Sequence, residues 1–400
     1  LVGTVREADA GAVKRIGWLV AAILAVALGA LVTVVAPIVD GRMNRVAPGL
    51  LPPVSAEASR LHGTLAVADL HGDLLLWPRS LLDRGRRGHT DLPRLREGRV
   101  ALQVFSSPTQ TPRGLNYLRN DSTTDQIRLL AIASRWPVRT WTSRLERSLH
   151  HAAKLDRAVA AANGGLVPIG SVAALTRFLA ERASRPDRVG VLLSIEGLHA
   201  SEGTIANLAR LVQAGYRMMG LVHFFDNQLG GSSAGVAKGG LTAFGREAVR
   251  WMDEHRVVID LAHASPATID DVLALSTRPM VVSHTGVQGT CPGPRNLSDD
   301  QLRRIAATGG VIGIGFWEGA VCGIAPDTIA AAIRHAVTVA GIDHVGLGSD
   351  FDGATVTAFD ASGLALVTDA LLRRGFTDEE IRKIMGGNTV RLLMEALPPS

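Results

Sequence analysis

Five apolar runs in this chain end in residues that bind metals or move protons, and this pattern restricts the possible folds more than any other feature. Val67-Ala-Asp-Leu-His-Gly-Asp73 ends in His71 and Asp73, and later runs lead into Glu196, His263, His284 and Asp350. Side chains two apart on a strand point to the same face, so His71 and Asp73 can converge on one point. An imidazole and a carboxylate meeting at a strand end are suitable zinc ligands. Polar groups are costly to bury without partners, so five such endings on separate buried-looking strands are hard to explain as packing.

The runs recur at intervals suited to a strand–helix repeat. Strands are expected over residues 64–70, 98–105, 189–195, 217–222, 257–261, 279–283, 310–316 and 344–348. Helical patterns lie between most of them, at 123–134, 144–162, 171–182, 204–213, 244–255, 298–307 and 327–340, and three more at 364–373, 378–385 and 388–396 close the chain. In the second of these, Leu145, Leu149, Ala152, Ala153 and Leu155 form an apolar stripe, with His150 and His151 as surface or packing residues. Ser298, with Gln301 three residues on, reads as a capping box.

Eight short strands with helical connections predict an α/β fold, a (β/α)8 TIM-type barrel, which places its chemistry at the C-terminal ends of the strands. An open doubly wound sheet is the alternative, but it collects ligands at a single switch point. Gly310-x-x-Gly313-x-Gly315 is not the dinucleotide fingerprint in order or context. The glycine-rich stretch 228–240 reads as a lid or rim of the site, and His89 as a solvated loop residue.

Lys and Arg exceed Asp and Glu by 42 to 37, but the excess is scattered, with no basic run and no interleaved aromatics, so a nucleic-acid partner is not expected. Two cysteines, Cys291 and Cys322, are too few for a thiolate zinc cluster, so any metal must rely on His and carboxylates. They could form one disulfide.

Residues 16–39 carry no charge, and Lys14-Arg15 precede them. At 1.5 Å per residue the run exceeds the ~30 Å of a bilayer core. It is therefore expected to be a transmembrane helix, preceded by a short cytoplasmic tail over 1–15. A proline-containing tether over 40–60 would follow, then a catalytic domain over 61–400 outside the membrane. A cleaved signal peptide is the rival reading. Localisation at the cell membrane, single-pass with the catalytic domain extracytoplasmic, rests on this segment.

Taken together, Asp69-Leu-His-Gly-Asp73, Ser194-Ile-Glu-Gly197, Leu221-Val-His223, Gly240-Leu-Thr-Ala-Phe-Gly245, Asp260-Leu-Ala-His263, Ser283-His284, Pro294-Arg-Asn296 and Gly348-Ser-Asp-Phe-Asp-Gly353 resemble the membrane dipeptidase (renal dipeptidase-like) family of metal-dependent amidohydrolases. The pieces occur in the family's order, over roughly Leu65 to Leu397. The resemblance implies zinc-dependent hydrolysis of dipeptides by a metal-bridging hydroxide. It implies two zinc ions, one held by His71 and Asp73, the other by His263 and His284, with Glu196 bridging both. By the same carry-over His223 polarises the scissile carbonyl, Asp350 takes the water proton and passes it to the leaving amine, and Arg295 pairs with the substrate's free carboxylate. Asn296 and Asp352 are further candidates without an assigned role. A homodimer is implied as well. The alternatives are a binuclear-metal amidohydrolase acting on another small amide, such as an acyl-amino acid or lactam, and a non-catalytic anchored binding protein.

Overall fold

Parallel strands covered on both faces must be apolar throughout rather than alternating, and the eight expected strands meet this condition. The computed structural model describes residues 14–20, 22, 29, 34–47, 49 and 51–400. The strands are β1 (Val67–Gly72), β2 (Val100–Phe105), β3 (Val189–Ile195), β4 (Tyr216–Gly220), β5 (Val258–Asp260), β6 (Val281–Thr285), β7 (Val311–Ile314) and β8 (Val345–Leu347). All their pairings are parallel, in the order β2-β1-β8-β7-β6-β5-β4-β3, and the ladder from Leu102↔Gly190 to Phe105↔Leu193 joins β2 to β3 and closes the barrel. Closure excludes the open doubly wound sheet. A ninth short strand, Leu166–Pro168, pairs with the first residues of β3.

Helices surround the barrel and begin where local chemistry predicts. Ser265 caps Pro266–Leu275, its side chain accepting from Thr268 N, with proline in the tolerated first turn. Ser298 and Gln301 cap Asp299–Ala307 reciprocally, as expected. The glycines of β7 and of the turn after β8 have a steric purpose. A Cβ on Gly313 would lie 2.2 Å from the Ser283 carbonyl oxygen, and one on Gly348 only 1.9 Å from the same atom. These two positions let β6, β7 and β8 approach beside the site.

The N-terminal expectation is corrected. Among the described residues no helix is long and apolar enough to cross a membrane. The transmembrane anchor over 16–39, the membrane partnership and the single-pass, extracytoplasmic localisation built on it are withdrawn. Residues 1–13 of the expected tail, and residues 21, 23–28 and 30–33 of the expected span, lie outside the described residues. At the far end of that span, helical residues 34–43 continue through the charged Asp40 and Arg42 and turn onto the domain. Val39 packs against the cluster of Leu76, Trp77, Ile127, Ala131 and Trp136. Asp40 is fully buried, with Oδ2 2.9 Å from Arg79 Nε and 3.1 Å from Arg87 Nε. The stretch read as a tether also makes contacts: Arg45–Val46 pairs in parallel with Val356–Thr357, and Ala56–Gly63 is a helix.

His89 is likewise not solvated. It is fully buried, with Nδ1 accepting from Asp352 N at 3.0 Å, because the turn after β8 folds over it. Overpacked cores lose about 1–3 kcal/mol. Gly348→Ala should therefore lower the melting temperature measured by calorimetry, whereas an unchanged melting temperature would show that the β6–β8 contact can relax around a methyl group.

Candidate active site

The strand ends bring seven polar side chains to one end of the barrel. His71 lies in β1 with Asp73 just past it, and Glu196 follows β3 directly. His223 and His263 come three residues after β4 and β5, His284 lies within β6, and Asp350 stands three residues after β8. All seven are buried. Glu196 is their centre: its Oε1 lies 3.0 Å from His263 Nε2, 3.3 Å from His284 Nε2, 3.4 Å from His223 Nε2 and 3.6 Å from His71 Nε2. His71 Nε2 is also 3.6 Å from Asp73 Oδ1 and 3.9 Å from Asp350 Oδ1. His263 and Asp350 adopt left-handed backbone, φ 64° and 58°. Non-glycine residues rarely take this conformation, and where they do it often marks a functional position.

A surrounding layer fixes these groups, and most of it escaped the sequence reading. Ser283 Oγ lies 3.2 Å from His71 Nδ1 and 2.9 Å from His284 Nδ1. A hydroxyl oxygen can accept two hydrogen bonds, so both rings can donate Nδ1–H to it and turn their Nε2 lone pairs inward. Asp69 accepts from Ser349 N at 2.8 Å, Ser349 Oγ at 2.6 Å and Gln103 Nε2 at 3.0 Å, which ties β1 to the turn carrying Asp350. Asp260 accepts from Ser283 N at 2.8 Å and Ala262 N at 3.0 Å. The available signal was a carboxylate within an apolar run, two residues before His71 in one case and three before His263 in the other. The 228–240 loop is pinned rather than loose, with Ser233 N donating to the His263 carbonyl at 2.8 Å.

Arg295 is buried beside this cluster. Its Nη2 donates to the His284 carbonyl at 2.9 Å, its Nε has no hydrogen-bond partner among the described residues, and its guanidinium carbon lies 5.8 Å from the Trp317 ring centroid. Trp317 Nε1 donates to Tyr117 Oη at 2.9 Å. The disulfide Cys291–Cys322 links the loop before Arg295 to the segment after Trp317. Asn296 supports the same loop by donating to the Cys291 carbonyl at 2.7 Å and accepting from Gly286 N at 3.0 Å. Asp352 points away from the site and receives His89 N at 2.7 Å and Thr90 N at 3.1 Å. Six of the seven cluster residues, all but His71, line a cavity of about 230 Å³ together with Arg295, Tyr117 and Trp317.

The cluster suits metal cations. His71 Nε2 and Asp73 Oδ1 are buried without hydrogen-bond partners among the described residues, and the Nε2 atoms of His263 and His284 face each other at 3.0 Å. Burial drives the imidazoles of His263 and His284 well below their usual range, which favours the neutral form that coordinates zinc. Burial, together with the neighbouring Glu196 carboxylate, pushes Asp73 up to about 6. Burial also raises Asp350 well above the carboxylate range. Such a set of crowded acids calls for positive charge at its centre. Three groups bring one ligand atom per residue to within 4.8 Å of one another: His71, Asp73 and Glu196; Glu196, His223 and His263; and His71, His284 and Asp350. The first two share Glu196 and match a binuclear zinc site bridged by that glutamate. His223 and Asp350, expected to move or stabilise charge rather than to bind metal, thus also lie within ligand distance.

Comparison with known proteins agrees with this chemistry. A sequence model described as Membrane dipeptidase (Peptidase family M19) matches residues 55–397. Dipeptidase verJ of Clonostachys rogersoniana is 32% identical over 320 residues, covering 77% of this chain and 76% of that protein. The crystal structure of dipeptidase AC, a metallopeptidase, superposes with a TM-score of 0.70 at 26% identity, covering 84% of this chain and all of the other. A metallopeptidase from Rhodobacter sphaeroides, solved with a phosphinate mimic of the dipeptide L-Ala-D-Ala, gives 0.68 at 25% identity over 83% of this chain and 99% of its own. The family match and the shared-glutamate site together place the chain in the membrane dipeptidase family, as a metal-dependent hydrolase of dipeptide-like amide bonds.

Proposed function

We propose that the substrate is a dipeptide with a free C-terminal carboxylate and that the side chains divide the work as follows. His71 and Asp73 hold one zinc ion, His263 and His284 hold the other, and Glu196 is shared. When bound, two such ions act as Lewis acids and make a water molecule nucleophilic near neutral pH. His223, whose Nε2 faces Glu196 Oε1 at 3.4 Å, donates as the Nε2–H tautomer to the oxygen of the scissile carbonyl and steadies the negative charge that develops there. The Asp350 carboxylate accepts a proton from the attacking water and returns it to the nitrogen of the leaving amine as the C–N bond breaks. Arg295 binds the C-terminal carboxylate, for which a guanidinium fork is well shaped.

The observation that carries this reading is the unpartnered Nε of buried Arg295, in the cavity that also holds the Glu196 cluster. A buried donor without a partner is costly, and a substrate carboxylate would satisfy it. The dipeptide mimic bound by the Rhodobacter relative supports a dipeptide, including one with a D-residue at its C-terminal position.

A charge-assisted hydrogen bond contributes about 1.5–3 kcal/mol, and ~1.4 kcal/mol is tenfold. Arg295→Ala should therefore lower kcat/KM on dipeptides by about one to two orders of magnitude at unchanged zinc content. Arg295→Lys should recover only part of this, because a point charge cannot reproduce the fork. On amidated dipeptides the wild type should already be poor and the substitution should cost little more. Equal losses on both substrates would instead assign Arg295 to loop support. A wild type that cleaves the amide as fast as the acid would favour a broader amidase.

The shared ligand has its own test. Metal analysis of the wild type should find about two zinc equivalents. Glu196→Ala should lose occupancy of both sites together, whereas His71→Ala should weaken mainly one. Two retained equivalents in Glu196→Ala would refute the bridging role.

A further inference from the structure

Residues 34–47 precede the part of the chain matched by the family, which begins at residue 55, yet they reach the substrate cavity. Val39 and Met43 line it together with Asp73, Glu196 and Asp350. Met43 stands at the mouth, 41% exposed, while Val39 packs into the cluster around Trp77 and Ile127. The wall they form with Leu76 and Leu130 is apolar.

This strap is held by specific bonds. Asp40 forms an ion pair with Arg79 and accepts hydrogen bonds from Arg87 Nε at 3.1 Å and Asn44 Nδ2 at 2.9 Å. Asn44 Oδ1 in turn accepts from Ala354 N at 2.9 Å, in the turn whose Thr355 Oγ1 donates to the Asp350 carbonyl at 2.8 Å. Arg45–Val46 then pairs with Val356–Thr357. The strap therefore sits on the β8–β1 side of the cavity, whereas Arg295 follows β6. A dipeptide anchored by its carboxylate at Arg295, with its scissile bond over Glu196, extends its amino-terminal residue towards the strap.

We infer that the strap is the specificity wall for the amino-terminal side chain of the substrate, with Val39 and Met43 selecting apolar side chains of limited size. This rests on the reading of Arg295 as the carboxylate anchor. Asp40 and Asn44 are positioning residues that keep the wall in place.

The test measures kcat/KM of the full-length, zinc-loaded enzyme on dipeptides ending in alanine, with Ala, Leu, Phe or Trp at the amino-terminal position. Removing or adding bulk in an apolar pocket changes discrimination about tenfold or more. Met43→Ala should raise the Trp-to-Ala ratio about tenfold, and Met43→Trp should lower the same ratio about tenfold. Asp40→Ala, which frees the strap, should flatten the profile across the four side chains. The ratio is internal to each variant, so it is read independently of the amount of active enzyme, and Met43 is exposed enough for both substitutions to be accommodated. Ratios unchanged in both Met43 variants, with the acid-over-amide preference intact in the wild type, overturn the strap. Loss of that preference in the wild type overturns the Arg295 reading instead.

Discussion

Placing the Glu196 carboxylate within 3.0 to 3.6 Å of four imidazole nitrogens is the arrangement on which the rest of this molecule depends. Moving an ion from water into a protein interior costs several kcal/mol even after relaxation. No single strand could bear that cost, so the partners must arrive together from separate parts of the chain. A closed parallel barrel meets this condition because all its strands end on the same side. Six of the eight strands deliver a residue to the cluster, from β1 and β3 to β6 and β8. Metal binding at such a site contributes directly to folding free energy, because the ligands are dispersed in the unfolded chain.

Precision at the centre comes from the layer around it. Ser283 orients two rings from one hydroxyl, and Asp69 and Asp260 fix the backbone on either side of it. The turn after β8 is the most constrained part of this layer. Asp350, Asp352 and Ala354 all have positive φ, a conformation that persists only where surrounding bonds over-determine it. Those bonds come from several directions: Arg79 Nη2 lies 2.6 Å from Asp352 Oδ1, His89 N and Thr90 N donate to the same carboxylate, and Asn44 receives Ala354 N. The turn bearing Asp350 is thus held partly by residues far upstream, including some that precede the barrel.

Much of the fold was legible because parallel barrel strands are apolar on both faces and are punctuated by helices with recognisable caps. β3 has its expected bounds, and the other strands differ from expectation by a few residues at their ends, where propensity is weak. The site residues could be picked out because each polar ending contrasted with the apolar run before it. Local periodicity could not show their convergence around Glu196, which only the family resemblance implied, since it depends on barrel closure through the β2–β3 pairing. The buried carboxylates Asp69 and Asp260 lacked a visible role because their partners, Ser349 and Ser283, are distant or unremarkable in sequence.

The uncharged run at the N-terminus shows the opposite failure. Hydropathy reports how readily a segment leaves water, but not which apolar surface receives it. For Val39 that surface is the cluster around Trp77, and the charge of Asp40 is met by Arg79 and Arg87. The sequence alone determined the strand–helix rhythm, the barrel class and a set of candidate metal-ligating side chains, because these follow from local periodicity and residue chemistry. Only the tertiary structure decided that four imidazoles from separate strands surround the Glu196 carboxylate and that the segment before the barrel walls the cavity, because both depend on contacts between residues far apart in the chain.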